Sequence, residues 1–199
     1  MAYTVIGLGN PGAEYAKTRH NAGRMVVERL QKELDFPEFT LKKAAQAYVS
    51  SGVLDGEKVL LVIPDVFMNH SGKAALPLVK SKAAAKNTVV IRDELDLPLG
   101  VIKMTPPGRG SGGHKGIESV MRALKTKDFA QIKIGISGTT KKGLAKKPKG
   151  EEGVVKHVIG KFKPTEEVEL KKVLTKASNA VQLFITEGIE KAMLEANTR

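Results

Sequence analysis

The chain has 199 residues, 41% of them hydrophobic and 27% charged, with no cysteine and a formal net charge of +12. That length carries one domain with a full core, and the composition is that of a soluble globular protein without an apolar run near the roughly 18 residues of a membrane span. The missing thiol excludes disulfides, thiolate nucleophiles and cysteine metal ligands, fits a reducing cytoplasm, and leaves chemistry to His, Asp, Asn and Lys.

The N-terminal MAYTVIGLGN enters a strand directly, over residues 3–8, without the basic and apolar segments of a secretion signal. GLGNPGAEYAKTRHN at 7–21 then supplies a turn and an amide, a phenol and an imidazole in Asn10, Tyr15 and His20. A helix follows over 21–34, with Asn21 expected as its N-cap and Val26, Leu30 and Leu34 on one face. Residues 47–54 and 58–64 read as a hairpin turning at Asp55-Gly56. A helix from about Ser71 is disturbed at Pro77, a strand over 88–92 ends at Asp93, and DELDLPLG at 93–100 reads as a turn before a strand over 101–105. A glycine-rich loop, 106–116, leads to a helix over 117–124 and a strand over 131–136. The polar stretch 138–153 has too few apolar residues to bury itself and is expected to be a mobile loop. Thr165 is expected to cap a last long helix with Leu170, Leu174, Ala177, Val181 and Phe184 inward and Gly188 at its end. The alternation predicts a single-domain α/β sandwich over 1–199, with a central mixed β-sheet flanked by helices.

Charge is unevenly placed. Residues 101–150 hold twelve basic residues against Glu118 and Asp128. A solvated lysine-rich face is the ordinary explanation, but so one-sided a field suits a polyanion such as nucleic acid.

Functional loops in open α/β sheets gather beyond the carboxyl ends of strands, which brings Asn10, His20, Asn69, Asp93 and His114 within reach of one another. An Asp against one nitrogen of His20 fixes the tautomer while the other nitrogen takes a proton from water, and Asn69 can orient that water or donate to an oxyanion. Taken singly, the residues leave plainer readings open: His20 as a backbone-bonded residue at a helix start, Asp93 as the cap of a turn, and Asn69 as an organiser of its loop. Met68 reads as core, and His70 and His157 as structural. Gly7-x-Gly9-x-x-Gly12 matches a dinucleotide fingerprint but breaks at Pro11-Gly12 and lacks the acid about 20 residues on. Asp93, Glu94 and Asp96 make a poor Mg²⁺ set, with no further carboxylates nearby.

Four stretches in order, GLGNPGAEYAKTRHN at 7–21, FMNHSG at 67–72, DELDLPLG at 93–100 and GGHKG at 112–116, resemble the signatures of bacterial-type peptidyl-tRNA hydrolases, and the likeness runs nearly end to end. The resemblance implies a cofactor-free, metal-independent esterase that cleaves the peptide from the 3′-ribose of tRNA and recycles tRNA from aborted translation. It implies His20 as catalytic base, Asp93 as its partner, Asn69 as positioner of water or substrate, and Asn10 as a peptide contact. Tyr15, Met68 and His114 would line the cleft, with Lys103 and Lys133 on tRNA phosphates. Lys115 departs from the pattern, standing where the family usually has asparagine, and Thr105 falls about where it often has a second basic residue. A monomer working on peptidyl-tRNA in the cytoplasm, with no membrane contact, is expected; the alternative is a non-catalytic RNA-binding protein of the same fold.

Overall fold

The computed structural model describes residues 2–198, so Met1 and Arg199, the two ends of the expected domain, lie outside the described residues. Strands β1 (Ala2–Gly7), β4 (Glu57–Pro64), β5 (Thr88–Pro98) and β7 (Ala130–Thr139) run parallel at the centre of one sheet. On the outer sides β2 (Thr40–Lys42) and β3 (Ala47–Leu54) pair antiparallel toward β4, and β6 (Ile102–Thr105) antiparallel to β7, giving the order β2-β3-β4-β1-β5-β7-β6. The sheet is mixed, as the sequence pattern predicts. Among the described residues no helix is long and apolar enough to cross a membrane.

Each central strand feeds two cores because successive side chains point to opposite faces. Val5 and Ile91 join one apolar cluster with α1 (Ala22–Glu33), α6 (Glu167–Thr186) and α7 (Ile189–Asn197). Their neighbours Ile6 and Val90 join the other, with α2 (Ser71–Ala75), α3 (Lys82–Lys86) and α4 (Lys115–Leu124). The expected hairpin turns where predicted, with Asp55 and Gly56 both at positive φ, 50° and 77°.

Two glycines bring α1 down onto the sheet. A Cβ on Gly23 would lie 2.2 Å from the carbonyl oxygen of Ile91, and one on Gly7 would lie 2.5 Å from that of Gly23. Gly7 of the dinucleotide-like pattern therefore serves helix-on-strand packing, and Gly12 precedes only a single 3-10 turn, Ala13–Tyr15, instead of an α-helix.

Several expectations need correction. The segment read as a turn over 93–100 is mostly strand: β5 continues to Pro98, pairing with β7 up to Glu94 and again at Pro98 across a bulge. Asp93 therefore lies within β5. The stretch 138–153 is not structureless, because β7 runs to Thr139, β8 (Ala145–Lys146) pairs back on it, and α5 (Gly150–Val158) begins at Gly150. Thr165 is not the cap of the long helix; Glu166 holds that position, at the end of a short 3-10 turn whose own N-cap is Lys163, with the Lys163 backbone N–H bonded to the Glu166 carboxylate. Ala177, Val181 and Phe184 are buried as expected, while Leu170 and Leu174 are only partly so. The edge strand β2, exposed throughout, and α7 carry no strong periodic signal and were not anticipated.

Candidate active site

The loop after β1 and the start of α4 converge on one carboxylate of β5, and the loop after β4 packs beside them through Met68. Asp93, 2% exposed, places Oδ1 2.8 Å from Nδ1 of His20 and 2.9 Å from Nε2 of His114. His114 is the N-cap of α4, with Nδ1 accepting the backbone N–H of Ile117 at 3.4 Å. An accepting Nδ1 leaves the proton on Nε2, so the His114 ring donates to Asp93. The helix begins two residues earlier than the sequence pattern suggests because a histidine ring does the capping.

These contacts divide the titration of the two rings. For His20, burial favours the neutral form, but the charge and hydrogen bond of Asp93 outweigh it and hold the pKa above the ordinary 6.5, with Lys115 opposing. For His114, burial outweighs Asp93, and the charges of His20 and Arg92 add to it, so its pKa falls. Burial acts to raise the Asp93 carboxyl, yet the two imidazoles hold it well below the usual carboxylate range. Asp93 thus stays ionised, His114 stays a neutral donor, and His20, with Nδ1 committed to Asp93, presents Nε2 as its accepting nitrogen. The three ligating atoms lie within 4.8 Å of one another. A cation there would have to displace the ring protons that make both bonds.

The loops are latched by amides. Asn21 occupies the N-cap position of α1, but its side chain does not cap; its Oδ1 accepts the N–H of Asn10 at 2.8 Å and its Nδ2 donates to the carbonyl of Asn10 at 3.0 Å. Asn10 in turn accepts the N–H of Met68 through Oδ1 at 2.8 Å, tying the first loop to the second and leaving its Nδ2 to donate. Met68 is buried, and a Cβ on Gly116 would lie 2.5 Å from its sulfur and 3.2 Å from Cε1 of His114, so methionine, glycine and histidine pack as one unit. Arg19, buried beside His20, donates to Glu166 at 2.7 Å and lies 4.8 Å over the Phe162 ring, which fixes the approach to His20.

The remaining candidates sit around this centre. Asn69 is exposed on the short turn after Met68 and has no side-chain hydrogen bond among the described residues. Tyr15 is half-buried, its ring edge-to-face with exposed Phe67 at 6.4 Å. Lys115, exposed, opens α4, and its charge acts on His20. Lys103 and Lys133 are direct cross-strand partners in β6 and β7, and Lys133 also pairs with Glu94 at 3.6 Å. His157 is structural, bonded to the Ile136 carbonyl at 3.0 Å. The carboxylates near Asp93 are committed to cations of the chain, Glu94 to Arg92 and Asp96 to Lys147. Sequence reasoning picked out Asn21 only as a cap and did not reach its latch to Asn10, nor Arg19 and Arg92; a polar residue at the end of an apolar strand run is the one visible sign, at Arg92.

A mixed α/β sheet carrying a histidine on a buried aspartate, with amides at its side, is the outline of a hydrolase that activates water. The comparisons give the family: the model for "Peptidyl-tRNA hydrolase" matches residues 4–199, and the chain belongs to that family. It is 37% identical over 197 residues to the peptidyl-tRNA hydrolase of Syntrophotalea carbinolica, covering 98% of this chain and 96% of the relative. It is 39% identical over 189 residues to that of Mycobacterium tuberculosis, covering 94% and 93%. The solved peptidyl-tRNA hydrolase of Acinetobacter baumannii superposes with a TM-score of 0.87 at 31% identity, over 99% of this chain and 95% of that one.

Proposed function

We propose that His20 is the general base with which this peptidyl-tRNA hydrolase cleaves the ester between peptide and tRNA, and that the Asp93–His20 contact at 2.8 Å is the observation that carries the assignment. Nε2 of His20 takes a proton from water as the water oxygen bonds to the ester carbonyl carbon, and Asp93 stabilises the imidazolium so formed. The tetrahedral oxyanion is met by donors at the rim, Nδ2 of Asn10 and the amide of Asn69, with the Lys115 ammonium in the place where family members usually carry an amide. Collapse breaks the bond to the ribose 3′-oxygen, which leaves with the proton from Nε2. Peptide acid and free tRNA are the products, which recycles tRNA in the cytoplasm.

Tyr15 and Phe67 supply an aromatic wall for the peptide or terminal nucleotide, and the cationic row of Lys103 and Lys133 suits tRNA phosphates. The assembly proposed is a monomer, in which His20, Asp93 and His114 already meet within one chain. The non-catalytic RNA-binding alternative has no support among the relatives, which carry the hydrolase name.

Release of N-acetylaminoacyl groups from tRNA tests this reading. Wild type is expected to turn over with EDTA in excess, and its tRNA affinity to fall with salt by roughly 0.9 log units per log unit for each duplex phosphate neutralised. A protein that binds tRNA and releases nothing would return the alternative.

A further inference from the structure

Arg92 is 1% exposed and has no hydrogen bond to His20 among the described residues. Its guanidinium nevertheless reaches both halves of the hydrogen-bonded centre. Nη1 donates to the backbone carbonyl of Asp93 at 2.9 Å, and Nη2 donates to that of Ser111 at 3.3 Å, three residues before His114. Glu94 pairs with the same Nη2 at 3.0 Å and is itself shared with Lys133. Beside it, Gln131, fully buried on β7, donates through Nε2 to the carbonyls of Arg109 and Gly110, each at 3.2 Å. Three successive carbonyls of the glycine-rich loop are therefore held from below by two side chains of the sheet.

This arrangement is poorly suited to stability alone. Arg92 Nε, Gln131 Oε1 and Thr105 Oγ1 are all buried with no partner among the described residues. Unpaired buried polar atoms destabilise a fold, and an entire buried ion pair can often be replaced by apolar residues of similar volume at no loss. Such a cluster points to placement of the loop above it. The positive charge has a second effect, since it is among the influences that keep His114 neutral and hence an Nε2 donor.

We propose that Arg92, assisted by Gln131, is a positioning residue for the hydrolytic reaction: it ties the Asp93 backbone to the 109–111 segment and so sets His114 on the Asp93 carboxylate. The inference rests on the reading of His20 and Asp93 as the working pair. A planar fork with fixed spacing between its nitrogens can join two carbonyls in one geometry, whereas a lysine ammonium reaches only part of that set. The same bonds hold the loop whether or not substrate is present, so substrate affinity has little share in the effect.

The test compares Arg92→Met, Arg92→Lys and Gln131→Met with wild type in kcat, KM, thermal unfolding and ¹⁵N NMR of the histidine rings. The expected result for Arg92→Met is kcat lower by about 10²-fold, as for displaced catalytic geometry, with KM within about twofold and a lowered melting temperature, because the carbonyls of Asp93 and Ser111 and the Glu94 carboxylate lose their donor. Arg92→Lys should recover about tenfold of that loss through the one carbonyl it can reach. The Nε2-protonated pattern of His114 should disappear in the Met variant. Wild-type kcat and an unchanged His114 pattern in Arg92→Met would overturn the proposal. If Arg92→Met does not fold, Gln131→Met decides in the same way, a lowered kcat with altered His114 signals supporting the proposal and wild-type values overturning it. The ring signals read the placement of His114 without substrate, so an inert wild type would count against the hydrolase reading and leave this one separately decided.

Discussion

His20 and His114 share one acceptor: each points a ring nitrogen at Oδ1 of Asp93, and the ring centroids lie 5.4 Å apart. Two imidazoliums that close to each other are unfavourable, and their surroundings push the two pKa values in opposite directions, His20 up and His114 down. The division assigns roles, one ring exchanging protons and the other holding the carboxylate. Replacing His114 with Ala is predicted to lower kcat about tenfold by freeing the carboxylate to rotate. It should also cost about 1 kcal/mol through the lost cap on α4, measurable by denaturant unfolding.

The pH profile of kcat/KM follows from the same contacts. With His20 as the proposed base, its neutral form is required, and a raised pKa means that form is lost as pH falls through a midpoint above 6.5. Activity should therefore rise with pH along a limb centred above that value. Asp93→Asn should move the limb to lower pH while depressing the plateau. Lys115 opposes protonation of His20, so Lys115→Asn should move the limb to higher pH. A shift in the opposite direction for either variant would contradict the assigned charges.

Asn10 offers a way to separate latching from chemistry. Asn10→Asp keeps an oxygen for the Met68 N–H, which lies 2.8 Å away, but loses the amide donor. Asn10→Ala loses both and leaves that N–H without its partner, at about 1–3 kcal/mol. The predicted outcome is near-normal melting for the Asp variant, a lowered melting temperature for Ala, and reduced kcat in both.

The sheet was legible because its strands announce themselves: continuous apolar runs rich in β-branched residues at 59–63 and 89–91, and isoleucines at 132, 134 and 136, fit buried central strands, and Asp-Gly marked the hairpin. Two boundaries failed for local reasons. Leu97-Pro98 resembles a turn, yet the bulge between Glu94 and Pro98 lets β5 absorb the proline and carry on. Ile117 looks like a helix start only when the capping power of a histidine ring is overlooked. At the site, side-chain chemistry exposed Asn10, His20, Asp93 and His114. The paired hydrogen bonds between Asn10 and Asn21, the Met68 latch and the Arg92 fork depend on contacts between residues 11 to 58 positions apart or buried beneath the loop, which no local pattern encodes.

Gly23 tests how α1 aligns His20 with β5. A methyl group there would overlap the Ile91 carbonyl, with 2.2 Å between them, and backbone cannot yield as a flexible side chain does. Gly23→Ala is predicted to destabilise the fold by about 1–3 kcal/mol, read from denaturant midpoints at unchanged m-value. Because α1 starts one residue after Asn21, the surviving folded fraction should also show reduced kcat.

The most direct test of His20 as the base is single-turnover cleavage of N-acetylaminoacyl-tRNA at saturating enzyme, with tRNA affinity measured separately, for wild type and His20→Ala. The prediction is unchanged tRNA affinity with a cleavage rate constant reduced by about 10²–10⁴-fold, the usual contribution of a general base. A His20→Ala protein that cleaves at the wild-type rate would contradict the account, because no neighbouring group could then be said to need the Asp93–His20 pair.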